Sequence, residues 1–417
     1  METIVKQITP GDYPMVAKTI FGLEDVLVNE LFKLGAKDIE KHTRAVSFVG
    51  DKGFMYKANI CLRTALCILK PIKKFKAESE QQLYNEIQKI NWEDYLKLSD
   101  TLSVDCSLNT DHFNHTLYVA QKVKDGIVDQ FRAKYDKRPS VDREHPTLKI
   151  NIHIYRNECT LSLDSSGEFL YKRGYRDKIN LAPINEVLAA GLVLLSGWDK
   201  RSNLIDPMCG SGTIAIEAAL IANNIPPGYF RKEFGFERWS DFDKELYDTI
   251  YDSCIEKITD NSVQIYGSDI SSNIIKKAKG NIKQAKVEDV VKLSSCDIQD
   301  IEVPEGRGVV IINPPYGERM DKDDDISALY KIIGDTFKKK FSGYDCWIIS
   351  SNMEALKQIS LRPSRKITVF NGSLECKFMK YEMYQGTKRV HKLEPGYVKQ
   401  SKIPNSKFQI PEQGTEI

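Results

Sequence analysis

The stretch that most restricts this chain is the apolar run Val309-Val310-Ile311-Ile312 ending in Asn313-Pro314-Pro315-Tyr316. The run predicts a short buried strand. Two prolines end it: neither has an N–H to donate, each holds φ at about −65°, and each drives the preceding residue toward extended geometry. The result is a stiff corner that presents carbonyl acceptors outward. The Asn313 side-chain oxygen and the Pro314 carbonyl can together accept both hydrogens of one exocyclic NH2, and Tyr316 can lie against the ring that carries it. Such a corner suits holding a base amine, or an amide nitrogen, for alkyl transfer. Asn313, Pro314, Pro315 and Tyr316 are therefore the candidate catalytic residues. Taken by itself, the tetrapeptide also reads as turn punctuation.

Three further corners precede it. A short strand at Asn203–Ile205 runs into Asp206-Pro207-Met208-Cys209-Gly210-Ser211-Gly212-Thr213, with a helix predicted from Ile214 to Asn223. Gly210 and Gly212 let the backbone pass close to a ligand, and the helix N-terminus offers free N–H groups and a positive dipole to a carboxylate. The spacing lacks the third glycine of a dinucleotide loop and the lysine of a phosphate loop. It disfavours NAD and ATP and favours a ligand with an amino-acid end and a nucleoside end. The strand Gln264–Gly267 leads to Asp269 and Ile270, and Val291–Ser294 leads to Asp297 and Ile298. Asp269 is placed to accept both ribose hydroxyls. Asp297 is placed to accept from an adenine amine, with Ile270 and Ile298 against the ring. Each aspartate alone also reads as a helix N-cap. The four corners in order, each at a strand's carboxyl end, read as one ligand-bearing rim.

Between the glycine loop and Asp269 lies far more chain than the roughly 20 residues of a plain βαβ unit. The excess, 224–262, carries Phe234, Phe236, Trp239 and Phe242 and reads as a helical insertion beside the pocket, its aromatics serving mainly in packing.

At 417 residues the chain has room for two to three domains, each with its own core. The net charge of +2 removes any global electrostatic argument for nucleic-acid binding, so a basic surface must be local. The nine cysteines are odd in number and lack a Cys-x-x-Cys pair, and they form no ligand spacing with the six histidines. Reduced thiols and no metal are expected. No apolar run is long enough to cross a bilayer, and the first residues are mixed and polar. The expected location is the cytoplasm, with no membrane partner.

Residues 1–69 read as a small α/β unit after a loose extension at 1–13. Strands are expected at Lys18–Phe21, Ala45–Val49 and Ala65–Leu69, with helices after Leu23 and Gly53. Residues 70–165 read as an α+β module, with a long helix at Thr116–Tyr135 and paired strands at Leu148–Tyr155 and Glu158–Asp164. Residues 166–386 alternate strand and helix as a parallel α/β sheet does. Residues 387–417 are polar and Pro/Lys-rich, which predicts a flexible tail.

The chain resembles the THUMP-domain class I S-adenosylmethionine-dependent RNA methyltransferases, and within them the branch similar to the bacterial 23S rRNA N2-guanine methyltransferase. The resemblance is carried by Asp206-Pro-Met-Cys-Gly-Ser-Gly-Thr, by Phe236-Glu-Arg-Trp, by Gly267-Ser-Asp269, by Asn313-Pro-Pro-Tyr-Gly-Glu-Arg319, and by Asp164-Ser-Ser-Gly with Lys172-Arg-Gly-Tyr-Arg176. It implies a ferredoxin-like domain, then THUMP, then a Rossmann-like catalytic domain, with S-adenosyl-L-methionine as cofactor. It also implies a cofactor set of Asp206, Met208, Cys209, Gly210, Ser211, Gly212, Thr213, Asp269, Ile270, Asp297, Ile298 and Asn313. The long bacterial member carries a second methylase domain, for which this chain has no counterpart.

The implied RNA partner is 23S rRNA or a ribosomal precursor. Residues 121–149 hold eight basic against five acidic side chains, and Lys172–Lys178 hold four against one. The candidate RNA contacts are Lys122, Lys124, Arg132, Arg138, Lys172, Arg173 and Arg176, with Tyr171 and Tyr175 as stacking candidates. Two other readings stay open: a DNA N6-adenine methyltransferase using the same corner, and an RNA-binding ribosome-assembly factor with vestigial methylation.

Overall fold

The computed structural model describes residues 9–176, 184–317 and 323–384; the expected tail and the last two residues of the basic Lys172–Lys178 stretch lie outside them. Two sheets organise the chain. The first has eight strands in the order β2-β3-β1-β4-β8-β7-β5-β6. In chain order its elements are β1 (Tyr13–Thr19), α1 (Glu24–Leu34), β2 (Lys37–His42), β3 (Ala45–Gly50), α2 (Lys52–Cys61), β4 (Ala65–Lys76) and α3 (Glu80–Gln88). There follow β5 (Thr101–Asn109), α4 (Thr116–Tyr135), β6 (Ser140–Val141), β7 (Leu148–Tyr155) and β8 (Glu158–Asp164).

The predicted α4, β7 and β8 stand where expected, because their apolar periods are long and their ends are marked. The first strand does not. It covers Tyr13–Thr19 instead of Lys18–Phe21, with Met15, Ala17 and Thr19 turned into the core. Phe21 instead sits edge-on against Phe370 of the catalytic domain. Strand β2 was not anticipated: of its six residues, Lys37-Asp-Ile-Glu-Lys-His42, all but Ile39 are polar or charged, and those five are exposed. It is an edge strand held by backbone pairing to β3, and its charges blunt that edge.

The expected division at residue 69 falls inside β4. Leu69, Ile68 and Cys67 of that strand pair with β1, while Leu69 through Lys76 pair with β8. One strand thus belongs to both N-terminal modules, and a single sheet runs through them.

The second sheet has seven strands in the order β11-β10-β9-β12-β13-β15-β14. It is built from α5 (Glu186–Ser196), β9 (Asn203–Asp206), α6 (Thr213–Ala222), α7 (Lys244–Ile255), β10 (Ile265–Asp269), α8 (Ser272–Gln284), β11 (Val291–Ser295) and β12 (Gly308–Ile312). It ends with α9 (Asp323–Lys340), β13 (Tyr344–Ser350), α10 (Met353–Gln358), β14 (Arg365–Asn371) and β15 (Leu374–Glu382). β11, β10, β9, β12 and β13 pair in parallel, and β15 runs against β13 and β14, so the sheet is mixed, not wholly parallel.

Helix α6 is buried along its whole length, including Glu217 at 0% exposure. That carboxylate accepts from Tyr175 Oη (2.9 Å) and Arg173 Nε (3.3 Å). Arg173 also donates to the carbonyls of Leu170 and Arg63, which ties the linker to both domains. A buried charge survives only with such partners.

The 224–262 insertion packs on both cores, with Ile225, Tyr229 and Phe230 against that of the catalytic domain. Phe234, Phe236, Trp239 and Cys254 belong to the core of the N-terminal sheet, where Phe236 lies 4.4 Å from Tyr56 of α2 between ring centroids. The Gly228 N–H reaches Ile60 O at 2.9 Å, and a Cβ there would meet the Ile60 backbone at 2.9 Å, so only glycine lets the chains approach this closely. Cys61 on α2 and Cys254 on α7 bring their Sγ atoms to 3.3 Å. The insertion is a clasp between domains, and its aromatics are apolar packing.

Candidate active site

The sheet order reverses between β9 and β12. The connections from β9 and β12 leave in opposite directions, which opens a crevice at their carboxyl ends. The two strands are neighbours in parallel register, Leu204 beside Val309 and Ile205 beside Val310. Adjacent strands lie about 4.8 Å apart. The glycine loop and the Asn-Pro-Pro-Tyr corner therefore open onto one rim.

Asp206 ends β9 at 1% exposure, and burial pushes its carboxyl up to about 8. Its one hydrogen bond among the described residues is a long 3.4 Å contact from the Met208 N–H. Such a carboxyl calls for a cation. The loop beyond it turns through Gly210 (φ 54°) and Gly212 (φ 81°), and a Cβ at Gly210 would meet nothing within 4 Å. Gly212 caps α6 with no side-chain oxygen in use. Asn281 on α8 fastens the loop through Ser211 O at 3.0 Å. Cys209 is 7% exposed, and burial raises its thiol pKa, so it packs as a neutral group.

Asp269 stands at the end of β10. One oxygen accepts from the Gly210 N–H at 3.2 Å and the other from Ser271 N–H at 2.9 Å, so it braces the glycine loop while facing the rim. Beside it, Ile270 is 73% exposed, an unusual state for a large apolar side chain at a strand end. Ile298 is buried at 3%, and Asp297 caps its own turn by accepting from Gln299 N–H at 2.8 Å. These groups fit a ligand with an ammonium, a ribose and a flat apolar base: a buried carboxyl without a cation, an open glycine cradle and an exposed isoleucine.

At the second corner, Tyr316 Oη donates to Asn313 Oδ1 at 2.6 Å and accepts from Asn371 Nδ2 at 3.4 Å. Its ring packs on the core below, and burial raises its pKa. In this conformation the ring is turned inward, not laid out as a platform for a base. The Pro315 carbonyl accepts from Tyr330 Oη (3.2 Å) and the Tyr316 carbonyl from Asn352 Nδ2 (3.0 Å). No donor among the described residues meets the Pro314 carbonyl. Tyr330, Asn352 and Asn371 hold the corner and were not anticipated. Asn352 had a signal, since it follows the apolar strand Trp347–Ser350 as Asn313 follows its own. Tyr330 and Asn371 had none, because they arrive from distant elements.

The expected RNA residues divide. On α4, Lys122 lies over the rings of Tyr84 (5.9 Å) and Tyr118 (6.0 Å), and Lys124 pairs with Asp125 at 2.5 Å. Arg132 is exposed and pairs with Asp129, Arg138 is exposed, and Lys172 is exposed beside Glu168. Two residues do not belong to this set. Arg173 is 2% exposed and spent on buried partners, so it cannot meet a phosphate. Arg176 is turned into the catalytic domain, toward Thr213 and Glu186. Tyr175, at 1% exposure, is likewise removed from any stacking surface, whereas Tyr171 stacks on Phe169. Among the described residues no cluster of three or more metal-ligating side chains occurs, and no helix is long and apolar enough to cross a membrane.

Three family models match the chain. They describe an RlmL ferredoxin-like domain over residues 14–69, a THUMP domain over 77–164 and an RMKL-like methyltransferase domain over 173–380. A Synechocystis sp. protein assigned as an RNA methyltransferase is 38% identical over 372 residues, covering 89% of this chain and 97% of that protein. The ribosomal RNA large subunit methyltransferase K/L of Syntrophotalea carbinolica is 36% identical over 373 residues, covering 87% of this chain and 52% of its own. The chain thus spans about half the length of the K/L relatives it matches. SMU.472, a chain assigned as a methyltransferase and solved in complex with SAH, superposes with a TM-score of 0.80 at 29% identity, covering 91% of this chain and 100% of that one.

Proposed function

We propose a reaction from one premise: the chain belongs to the THUMP-bearing, RMKL-like family of S-adenosylmethionine-dependent RNA methyltransferases. The reaction is methylation of the exocyclic N2 amine of a guanine in RNA, with 23S rRNA or its precursor as substrate. The observation that supports it is the parallel pairing of β9 and β12, which brings the Asn-Pro-Pro-Tyr corner and the glycine loop to the ends of neighbouring strands.

The cofactor supplies an electrophilic methyl on a sulfonium centre. Every other requirement falls on this chain. Asp206 meets the ammonium of the cofactor, Asp269 the ribose, and Ile270 with Ile298 the adenine face, with Asp297 at its amine. The guanine leaves its stack to reach the corner. Asn313 Oδ1, already oriented by the Tyr316 hydroxyl, retains a second lone pair for an amine hydrogen. The Pro314 carbonyl takes the other. The two acceptors point the nitrogen lone pair at the cradle. No strong base is needed, because the nitrogen sheds its proton to water once it becomes cationic. Alignment of this kind supplies about 7–11 kcal/mol of the barrier reduction. Tyr316 serves the corner through its hydroxyl on Asn313 and not as a base platform, a role that would need that bond and the one to Asn371 broken.

The test is to map modified nucleosides in rRNA from cells with and without the protein, then to assay purified protein carrying Asn313→Ala. One N2-methylguanine is expected to vanish with the protein. The variant is expected to lose about 100-fold or more in turnover while binding cofactor with nearly wild-type affinity. A large loss of cofactor affinity would move Asn313 out of the substrate site. Transfer to duplex DNA but not to rRNA would replace this reading with the adenine one, and full rescue of ribosome assembly by the variant would make methylation vestigial.

A further inference from the structure

Arg176 sits where the linker enters the catalytic domain. Its Nη2 donates to Thr213 Oγ1 at 2.5 Å, and Thr213 is the first residue of α6, directly after Gly212. The side chain is only 16% exposed. Its partner carboxylate, Glu186, lies at 3.3 Å and is itself 7% exposed, and its Nε is buried with no acceptor among the described residues. A guanidinium has five donors in a planar fork that matches a carboxylate. Here two donors are engaged, one of them with a carboxyl whose own ionisation is opposed by burial. Thr213 Oγ1 in turn lies 3.2 Å from Ser211 Oγ, so the guanidinium reaches the glycine loop through a single hydroxyl. A positive fork with spare donors, at a helix start whose N–H groups lack a side-chain cap, is a carboxylate site.

We propose that Arg176 is a cofactor-binding residue, anchoring the carboxylate of the cofactor's amino-acid end from the linker that joins the N-terminal sheet to the catalytic domain. The assignment rests on the cofactor reading above. Asp206 then meets the ammonium and Arg176 the carboxylate, so the two charges of one amino-acid group are read by opposite charges on the two sides of the glycine loop.

The test uses the full chain and two ligands in calorimetry: S-adenosylhomocysteine, which carries the carboxylate, and 5′-methylthioadenosine, which lacks the amino-acid end. Arg176→Ala is expected to weaken S-adenosylhomocysteine about tenfold or more, the size of a lost charged hydrogen bond, and to change methylthioadenosine less than about twofold. Should Arg176→Ala lower both affinities alike, or neither, the anchor role is wrong and Arg176 only braces Thr213. If the alanine variant lacks a cooperative melting transition, Arg176→Lys serves in its place: it keeps the charge and loses the fork. A loss confined to the carboxylate-bearing ligand supports the proposal, and equal losses overturn it. A wild-type chain that binds neither ligand refutes the cofactor reading itself, a distinct outcome.

Discussion

At the scale of single residues, Asp206 makes the sharpest demand. Burial holds its carboxyl neutral up to about pH 8 in the ligand-free protein. A raised acid stabilises the fold through its neutral form. That contribution is full below the ordinary carboxylate range, near 3.9, and is lost as the pH rises to about 8. If Asp206 meets the cofactor's ammonium as proposed, pairing reverses the preference and binding at pH 7 expels the proton. The expected result is a calorimetric enthalpy that varies with the buffer's heat of ionisation, corresponding to release of close to one proton, with affinity improving from pH 6 to 7. Asp206→Asn should abolish that buffer dependence; an unchanged dependence would show that another group gives up the proton. The strand-end positions of Asp206, Asp269 and Asn313 were legible in the sequence, those of Asp206 and Asn313 because each stands where an apolar run stops. The inward turn of Arg176 toward Thr213 and Glu186 was not, because a basic residue in a basic stretch looks like a phosphate contact until the fold shows which way it faces.

Among elements, α4 is the one whose boundaries and faces could be read most fully from the chain. Val119, Val123, Ile127, Val128 and Phe131 form its buried stripe, and its basic residues fall outside that stripe. If α4 carries RNA phosphates, reversing the charges of Lys122 and Lys124 weakens RNA binding and flattens the slope of log K against log salt by roughly one to two. A slope equal to wild type would relocate the RNA surface. Strand β2 shows the opposite case. A run such as Lys37-Asp38-Ile39-Glu40-Lys41-His42 has no apolar period, and its strand state comes from the neighbour β3, which no local pattern reveals. The same limit explains Tyr330 and Asn371, whose common task at the Asn-Pro-Pro-Tyr corner exists only after α9 and β14 have packed.

For the whole molecule, the insertion and the described part of the linker make contacts between the two sheets. Phe236, at 1% exposure, touches Tyr56 from the other domain and stacks on Phe234 at 5.3 Å. Truncating it to alanine is expected to cost about 3–5 kcal/mol. Because the contact is shared, the loss should appear in a single thermal transition lowered throughout; a split into two transitions, one unchanged, would show that the domains unfold independently. Aromatic content pointed to packing here, but the partner of that packing lay about 180 residues upstream, beyond any periodicity.

Strand β4 has a mechanical corollary. Its first residues zip to β1 and its last to β8, so it acts as a girder common to both N-terminal modules. Helix α2, which carries the clasp, packs on that same strand. A nucleic acid gripped at the outer helices would then meet the proline corner at a preset span, and the enzyme would choose its nucleotide by reach as much as by fit.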